Sequence, residues 1–342
     1  MFSILFFGTS DFAVPSLTAL ASDARFHILG VITQPNRPVG RHAVMTAPTV
    51  KQFVVGAQCG VGAQRAVPRL DIPIHQPEKL KDEPFASWIR AIGPTCDAFV
   101  VVSYGKILPQ WLLDLPKQGV VNVHGSLLPR WRGPSPIQAA IAAGDAVTGV
   151  TIMQLDAEMD HGPILAQQEE LIRSNDTGGS LHDRLAILGA KILPDVITNY
   201  LASNIQPVEQ NHAHATYCKL LTREDGRLDF TKNATEIERV IRAYDPWPGT
   251  WHAMEDKRLK ILAARVASII PAPHLMSFTL MPEADPPPAE KALVQLPEDR
   301  FVQAGLPHIV CGGGTALMIE RLQLEGAGVM TGEEFLRGHA WQ

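Results

Sequence analysis

Positive charge is what this sequence most lacks. Its 342 residues hold 30 Lys plus Arg against 35 Asp plus Glu, a net charge of −5 with a pI near 6.2. A nucleic-acid binder usually carries a basic excess to neutralise phosphates. Composition alone therefore favours a small-molecule enzyme, and any RNA contact must rest on local patches. Cysteine is scarce too. The four (Cys59, Cys96, Cys218, Cys311) show no C-x-x-C spacing, which excludes a zinc ribbon or a disulfide framework and points to a reducing cytoplasm. No segment reaches the roughly 18 consecutive apolar residues of a membrane span. The apolar start, MFSILFF, lacks a basic leader and runs into Gly8-Thr9-Ser10-Asp11 without a small-residue cleavage site, so it reads as a buried first strand. G-x-G-x-x-G is absent after that strand, and Ser126 has no G-x-S-x-G elbow. No metal site is expected. Without an evident covalent nucleophile, direct transfer between two bound substrates is favoured.

What is present begins with short apolar runs: residues 2–7, 28–33, 98–103, 119–123 and 149–155, with helical stretches such as 15–21 between several of them. Strands alternating with helices imply a parallel, doubly wound sheet, with ligands bound beyond the carboxyl ends of its strands. Residues 59–70 are Gly- and Ala-rich and read as a surface loop. Residues 204–216 lose the apolar periodicity and read as a linker, its His212 and His214 in solvent. Beyond it lie short strand-like pieces at 228–230, 258–263, 292–295, 308–311 and 316–319, which suggest a small β-barrel. Six prolines between residues 270 and 288 mark an excursion. The expected organisation is α/β: a catalytic domain over 1–203, a linker over 204–216 and a smaller barrel domain over 217–342.

The most informative segment is Val121 to Gly133, VNVHGSLLPRWRG. An apolar strand delivers Asn122 and His124 two residues apart, so both side chains lie on one face. An amide donor and an imidazole at a strand's carboxyl end suit a carbonyl that is becoming an oxyanion. An isolated N-x-H is more often a core histidine beside a turn-forming Asn. The second segment, LDAEMDHGP at 155–163, holds three carboxylates, any of which could orient His124 or accept a proton from an attacking amine. Spacing does not choose among Asp156, Glu158 and Asp160.

NVHGSLLPRWRGPSPIQAAI and GDAVTGVTIMQLDAEMDHGPIL closely resemble the methionyl-tRNA formyltransferases among the folate-dependent formyltransferases. The likeness extends to GTSDFAVPSL, TQPNRPVGR, SYGKILPQWLLDLP and IRAYDPWPGTW, nearly the whole chain. The resemblance implies a Rossmann-like domain followed by an OB-like barrel. It implies 10-formyltetrahydrofolate as formyl donor, methionyl-initiator tRNA as acceptor, and a role in translation initiation. It places the family's catalytic Asn, His and Asp on Asn122, His124 and Asp160. Ser126, Leu127, Leu128 and Pro129, with Tyr104, Gly105 and Leu108, resemble its folate-contacting segments. Arg41 falls in the loop that meets the tRNA acceptor end, and a monomer with no membrane partner is expected. The chain departs from the family pattern at Gly40-Arg41-His42-Ala43, where that loop is usually more basic, and at residues 326–330, which lack the usual lysines. A sugar-nucleotide N-formyltransferase and a formyltetrahydrofolate hydrolase are the competing readings.

Overall fold

The computed structural model describes residues 1–40, 42–59, 72–254, 257–267 and 299–341. Strand β1 (Phe2–Gly8) is buried over its last five residues. Helix α1 (Ala13–Ala21) leads to β2 (Phe26–Ile32), parallel to β1. A small hairpin of β3 (Arg37–Val39) and β4 (Val44–Thr46) follows, then α2 (Thr49–Cys59) and β5 (Ile74–His75), which extends the sheet beyond β2. On the other side of β1 the sheet grows through α3 (Phe85–Ile92), β6 (Ala98–Val102), α4 (Gln110–Leu113) and β7 (Val120–His124). Every residue of β6 and β7 is buried, as in parallel strands covered on both faces. Leu5, Phe7, Phe99, Val101 and Tyr104 form part of one core cluster on this sheet.

Beyond β7 the expected all-parallel sheet is not found. After α5 (Pro136–Ala143), β8 (Val147–Gln154) runs antiparallel to β7, and β9 (Ile164–Leu171) antiparallel to β8. The full order is β5-β2-β1-β6-β7-β8-β9, a mixed, Rossmann-like sheet. Apolar runs do not encode strand direction. The loop between β8 and β9 is also shorter than the dozen or so residues a parallel crossover takes. Strand β9, ILAQQEEL, is polar enough to stand at the sheet's edge, where charge discourages further pairing. Helix α6 (Gly178–Leu201) follows.

Two compact units emerge. The first is Met1–Ala140, Ala146–Arg173 and Ser180–Leu220; the second is Ile141–Asp145, Ser174–Gly179 and Leu221–Gln342. In the second, α7 (Ala234–Ala243) starts at a reciprocal cap between Asn233 and Glu236, and buries Ile237 and Ile241. Its sheet comprises β10 (Thr250–Met254), β11 (Lys257–Val266), β12 (Arg300–Gln303), β13 (Leu306–Cys311), β14 (Thr315–Leu324) and β15 (Met330–Thr331), with α8 (Gly332–Gly338) last. The order is β10-β11-β14-β13-β12, with β15 beside β14, antiparallel throughout. Phe230, Ile261, Leu317, Ile319 and Phe335 belong to its core. Among the described residues β10 and β12 do not pair, so an open antiparallel sheet stands where a closed barrel was expected. The expected strand at 228–230 is instead an isolated bridge between Arg227 and Trp251. Arg41, residues 60–70, 270–288 and 292–295 lie outside the described residues.

Candidate active site

Asn122 and His124 share one face of β7 and are 9% and 6% exposed. Asn122 aligns with Val101 of β6 and Met153 of β8, and His124 with Thr151. Polar side chains inside an otherwise apolar strand cost stability unless they are partnered. His124 has a fixed partner: its Nε2 lies 2.9 Å from the Trp131 carbonyl oxygen. A carbonyl only accepts, so Nε2 carries the proton in the neutral ring. That leaves Nδ1 facing Asp160, whose Oδ1 is 3.7 Å away, beyond hydrogen-bond reach but close enough for an ion pair once the ring is protonated. The Trp131 carbonyl fixes the ring, and Asp160 supplies the nearby negative charge.

The other oxygen of Asp160, Oδ2, accepts from the Gly133 amide at 2.8 Å. Asp160 and Trp131 are non-glycine residues at φ 50 and 60, sparsely populated backbone that surrounding contacts must hold. Gly133 has φ 113, and a Cβ there would overlap the Cys218 carbonyl oxygen. Only glycine fits that position. Geometry separates the three carboxylates that spacing left equal. Asp156 bonds His161 Nδ1 at 2.7 Å and the Glu158 amide at 2.9 Å, Glu158 is exposed, and Asp160 alone of the three is paired with His124.

The segment 126–129 follows β7 two residues after His124. Ser126 is fully buried, its hydroxyl donating to the Arg130 carbonyl at 2.6 Å and its carbonyl accepting from Thr151 Oγ1 at 2.7 Å. Leu128 is tied by its amide to Thr151 Oγ1 and by its carbonyl to Gln167 Nε2. Leu127 and Pro129 are half-buried and remain reachable. After β6, the side chains of Tyr104 and Leu108 belong to the core rather than to any open surface. The Tyr104 ring meets Phe7 edge-on at 5.4 Å, and burial pushes its phenol pKa up. Its carbonyl ties together the loops after β1 and β2, accepting from Thr9 Oγ1 at 2.8 Å and Gln34 Nε2 at 3.2 Å. Gly105, at φ 82, has open space where a side chain would be, and Ile107 is 82% exposed.

Sequence reasoning missed Arg132, Gln210 and His212. Arg132 is 2% exposed; its Nε and Nη2 donate to Gln210 Oε1 at 3.1 and 2.7 Å, and Nη2 lies 2.8 Å from His212 Nδ1. Gln210 Nε2 donates to the carbonyls of Asp160 at 2.9 Å and Gly162 at 2.7 Å. His212, expected in solvent, is exposed yet stacks on His161 with ring centres 4.0 Å apart. The signal was an Arg in a loop next to His124. Its partner sits in a stretch whose lost periodicity hides it.

An amide, an imidazole and a carboxylate thus share one edge of a mostly apolar sheet. Such a set can polarise a carbonyl oxygen and take a proton from an amine. Among the described residues no group of His, Cys, Asp and Glu is arranged to hold a metal.

The sequence pattern of the formyl transferase family matches residues 2–197, and that of the formyl transferase C-terminal domain matches 220–340. A methionyl-tRNA formyltransferase of Myxococcus xanthus is 38% identical over 336 residues, 98% of this chain and 95% of that protein. One from Roseiflexus is 45% identical over 263 residues, 77% of this chain and 76% of that protein. The chain belongs to the methionyl-tRNA formyltransferase family. Solved structures at lower identity share the fold. The sugar 3N-formyl transferase WlaRD, solved with dTDP and 5-N-formyl-THF, superposes with TM-score 0.61 at 17% identity over 96% of this chain and 99% of that one. An N-formyltransferase from Helicobacter canadensis gives 0.60 at 16% identity over 93% and 99%. At such identities the likeness bears on the fold that this formyltransferase family shares.

Proposed function

We propose that the chain transfers the formyl group of 10-formyltetrahydrofolate to the free amino group of methionyl-initiator tRNA, as translation initiation requires. The observation that carries the reading is the pairing of His124 with Asp160 beside Asn122 on one strand edge. It occurs in a chain alignable along 98% of its length with a methionyl-tRNA formyltransferase. As the amine attacks the formyl carbon, charge gathers on the formyl oxygen. Asn122 donates to that oxygen from its side-chain amide. His124 donates from Nδ1 once the ring carries its second proton, with the Asp160 carboxylate 3.7 Å away to balance the charge. Asp160 also accepts the proton that leaves the amine. The new N–C bond replaces the bond to the folate nitrogen, which takes up a proton.

The folate carrier supplies the activated formyl group. The loop after β6 fits it: Gly105 leaves room against the backbone, and Ile107 offers uncovered apolar surface to a ring. Tyr104 and Leu108 serve through their backbone, and Leu127 and Pro129 through half-buried side chains. The RNA half of the reading draws support from the second unit. There a cleft of about 410 Å³ is lined by Arg223, Arg258, Lys260, Trp247 and Trp251. Cations and aromatic rings together suit phosphates and bases. Arg41 belongs to the same reading as a contact to the acceptor end. So does the division into a catalytic domain over 1–203, a linker over 204–216 and, over 217–342, an OB-like domain whose barrel is left partly open. Register shifts in the pairing of the ten-residue strands β11 and β14 support curvature of the kind a barrel needs. No described helix is long and apolar enough to cross a membrane, and a cytoplasmic monomer completes the reading.

The test is formyl transfer from 10-formyltetrahydrofolate to methionyl-initiator tRNA, run beside uncharged tRNA, a nucleotide-linked amino sugar and no acceptor. Transfer to the charged tRNA alone is expected. Faster transfer to the sugar would overturn the acceptor. Equal hydrolysis without acceptor would make the chain a hydrolase.

A further inference from the structure

Asp160 is the least self-sufficient member of the candidate trio. It occupies left-handed backbone at φ 50, on a loop rather than a strand. Its carboxylate is held by one amide, that of Gly133. Its own carbonyl and that of Gly162 both accept from Gln210, some fifty residues on. The Gln210 amide is satisfied at both ends. Its oxygen takes two N–H donors from Arg132, so its NH2 is forced toward the two carbonyls. Arg132 is pinned in turn: its amide donates to the Thr216 carbonyl and its carbonyl accepts from the Cys218 amide, both at 2.8 Å. Gln210 is 4% exposed and Arg132 2%, so water competes little for these bonds.

We infer that Gln210, oriented by Arg132, is a positioning residue: it sets the backbone of Asp160 and thereby the placement of the carboxylate beside His124. The inference rests on the formyl-transfer reading for its assay and deepens it. Gln210 touches neither reacting group. Its effect reaches the reaction through Asp160.

The experiment is a kinetic double-mutant cycle on the full chain, with Gln210→Met, Asp160→Asn and the pair. A small misplacement of a reacting group can cost about 100-fold, so Gln210→Met is expected to lower kcat by roughly 30- to 100-fold. KM for folate and for tRNA should stay within about threefold. In the Asp160→Asn background the same change should cost less than about threefold, because coupled residues are not additive. A purely structural role would lower kcat by the same factor in both backgrounds, and that outcome overturns the proposal, as does wild-type kcat in Gln210→Met. If Gln210→Met does not fold, Gln210→Glu keeps the shape and the contact to Arg132 but turns a bare oxygen toward two carbonyls. Its deficit should shrink as pH falls and the new carboxyl gains a proton. A deficit independent of pH overturns the proposal as well. Should the wild type prefer another amine, the cycle is run with that acceptor, so the two ideas fail separately.

Discussion

Replacing Gly133 by alanine tests the packing logic of the site with one methyl group. The residue sits at φ 113, backbone that L side chains rarely adopt; holding alanine there costs about 1–3 kcal/mol. The new Cβ would overlap the Cys218 carbonyl oxygen, so the chain has to move. Movement endangers the 2.8 Å bond from the Gly133 amide to Asp160 Oδ2, and a hydrogen bond to a charged group is worth about 1.5–3 kcal/mol. The two costs partly exclude each other, because a loop that shifts relieves the overlap by giving up the bond. A net destabilisation of about 2–4 kcal/mol follows, or a fall in melting temperature of roughly 5–15 °C for units of this size. Turnover of the folded fraction should drop about 100-fold, since Asp160 loses its anchor. Thermal melts and single-turnover formyl transfer measure the two effects, with Gly328→Ala as control, where a Cβ meets nothing within 4 Å. Gly133→Ala with an unchanged melt and near-normal turnover would refute the argument that this amide is locked against Asp160.

Asn122→Ala and His124→Ala should each lower turnover about 100-fold or more, the scale for losing an oxyanion donor, with circular dichroism unchanged; near-normal turnover in either removes that residue from the mechanism. Trp247→Ala and Arg258→Ala should each raise KM for tRNA several-fold while KM for folate holds, and Arg258→Ala should lessen the salt slope by about one; identical tRNA kinetics across a salt series would take the cleft out of RNA binding. His308 is buried, which lowers its pKa below the ordinary histidine value. The unfolded chain therefore binds the proton first, and stability present above about pH 6.5 is lost as pH falls toward the folded pKa; His308→Gln should flatten that loss in urea melts, and an unchanged profile contradicts it. Burial pushes the Cys96 thiol to about 11 and that of Cys311 to about 12, so both should resist maleimide at pH 8 until the protein unfolds, a mass-spectrometric test.

Strands β1, β2, β6 and β7 were legible because each carries an apolar run bounded by turns, and buried parallel strands demand that composition; the short β3, β4 and β5 carry no such run and were not read. Strand β9 was not legible, since ILAQQEEL carries charge at a sheet edge and has no apolar run to find. The reversal at β8 was hidden for a different reason: direction is a property of the connection, not of the strand. The candidate site divides the same way. Asn122 and His124 could be paired from a two-residue spacing on one strand. Asp160 could not be told from Asp156 and Glu158, because a loop has no period, and only its amide partner and its distance to His124 distinguish it. Gln210 was out of reach, because its role depends on a contact made across fifty residues.

The acidic composition looked like an argument against RNA, and its force depends on the range over which charge acts. At physiological ionic strength screening reduces charge effects beyond about 8 Å. A phosphate approaching the second unit is therefore governed by what lies within one or two side chains of it. In the cleft that is Arg223, Arg258 and Lys260 against one carboxylate among the lining residues, Asp245. Arg258 also stands 3.3 Å from Glu224, with 52% and 68% of the two side chains exposed. An exposed pair of that kind contributes little, so a phosphate can replace Glu224 at small cost. The same guanidinium lies 4.2 Å from the centre of the Trp251 ring. Stacking on that ring limits the directions the guanidinium can turn and presents it as an oriented donor. Net charge −5 then describes the chain as a whole, and on the proposed reading phosphate recognition would fall to the few cations of this cleft, Arg258 already restricted by the Trp251 ring.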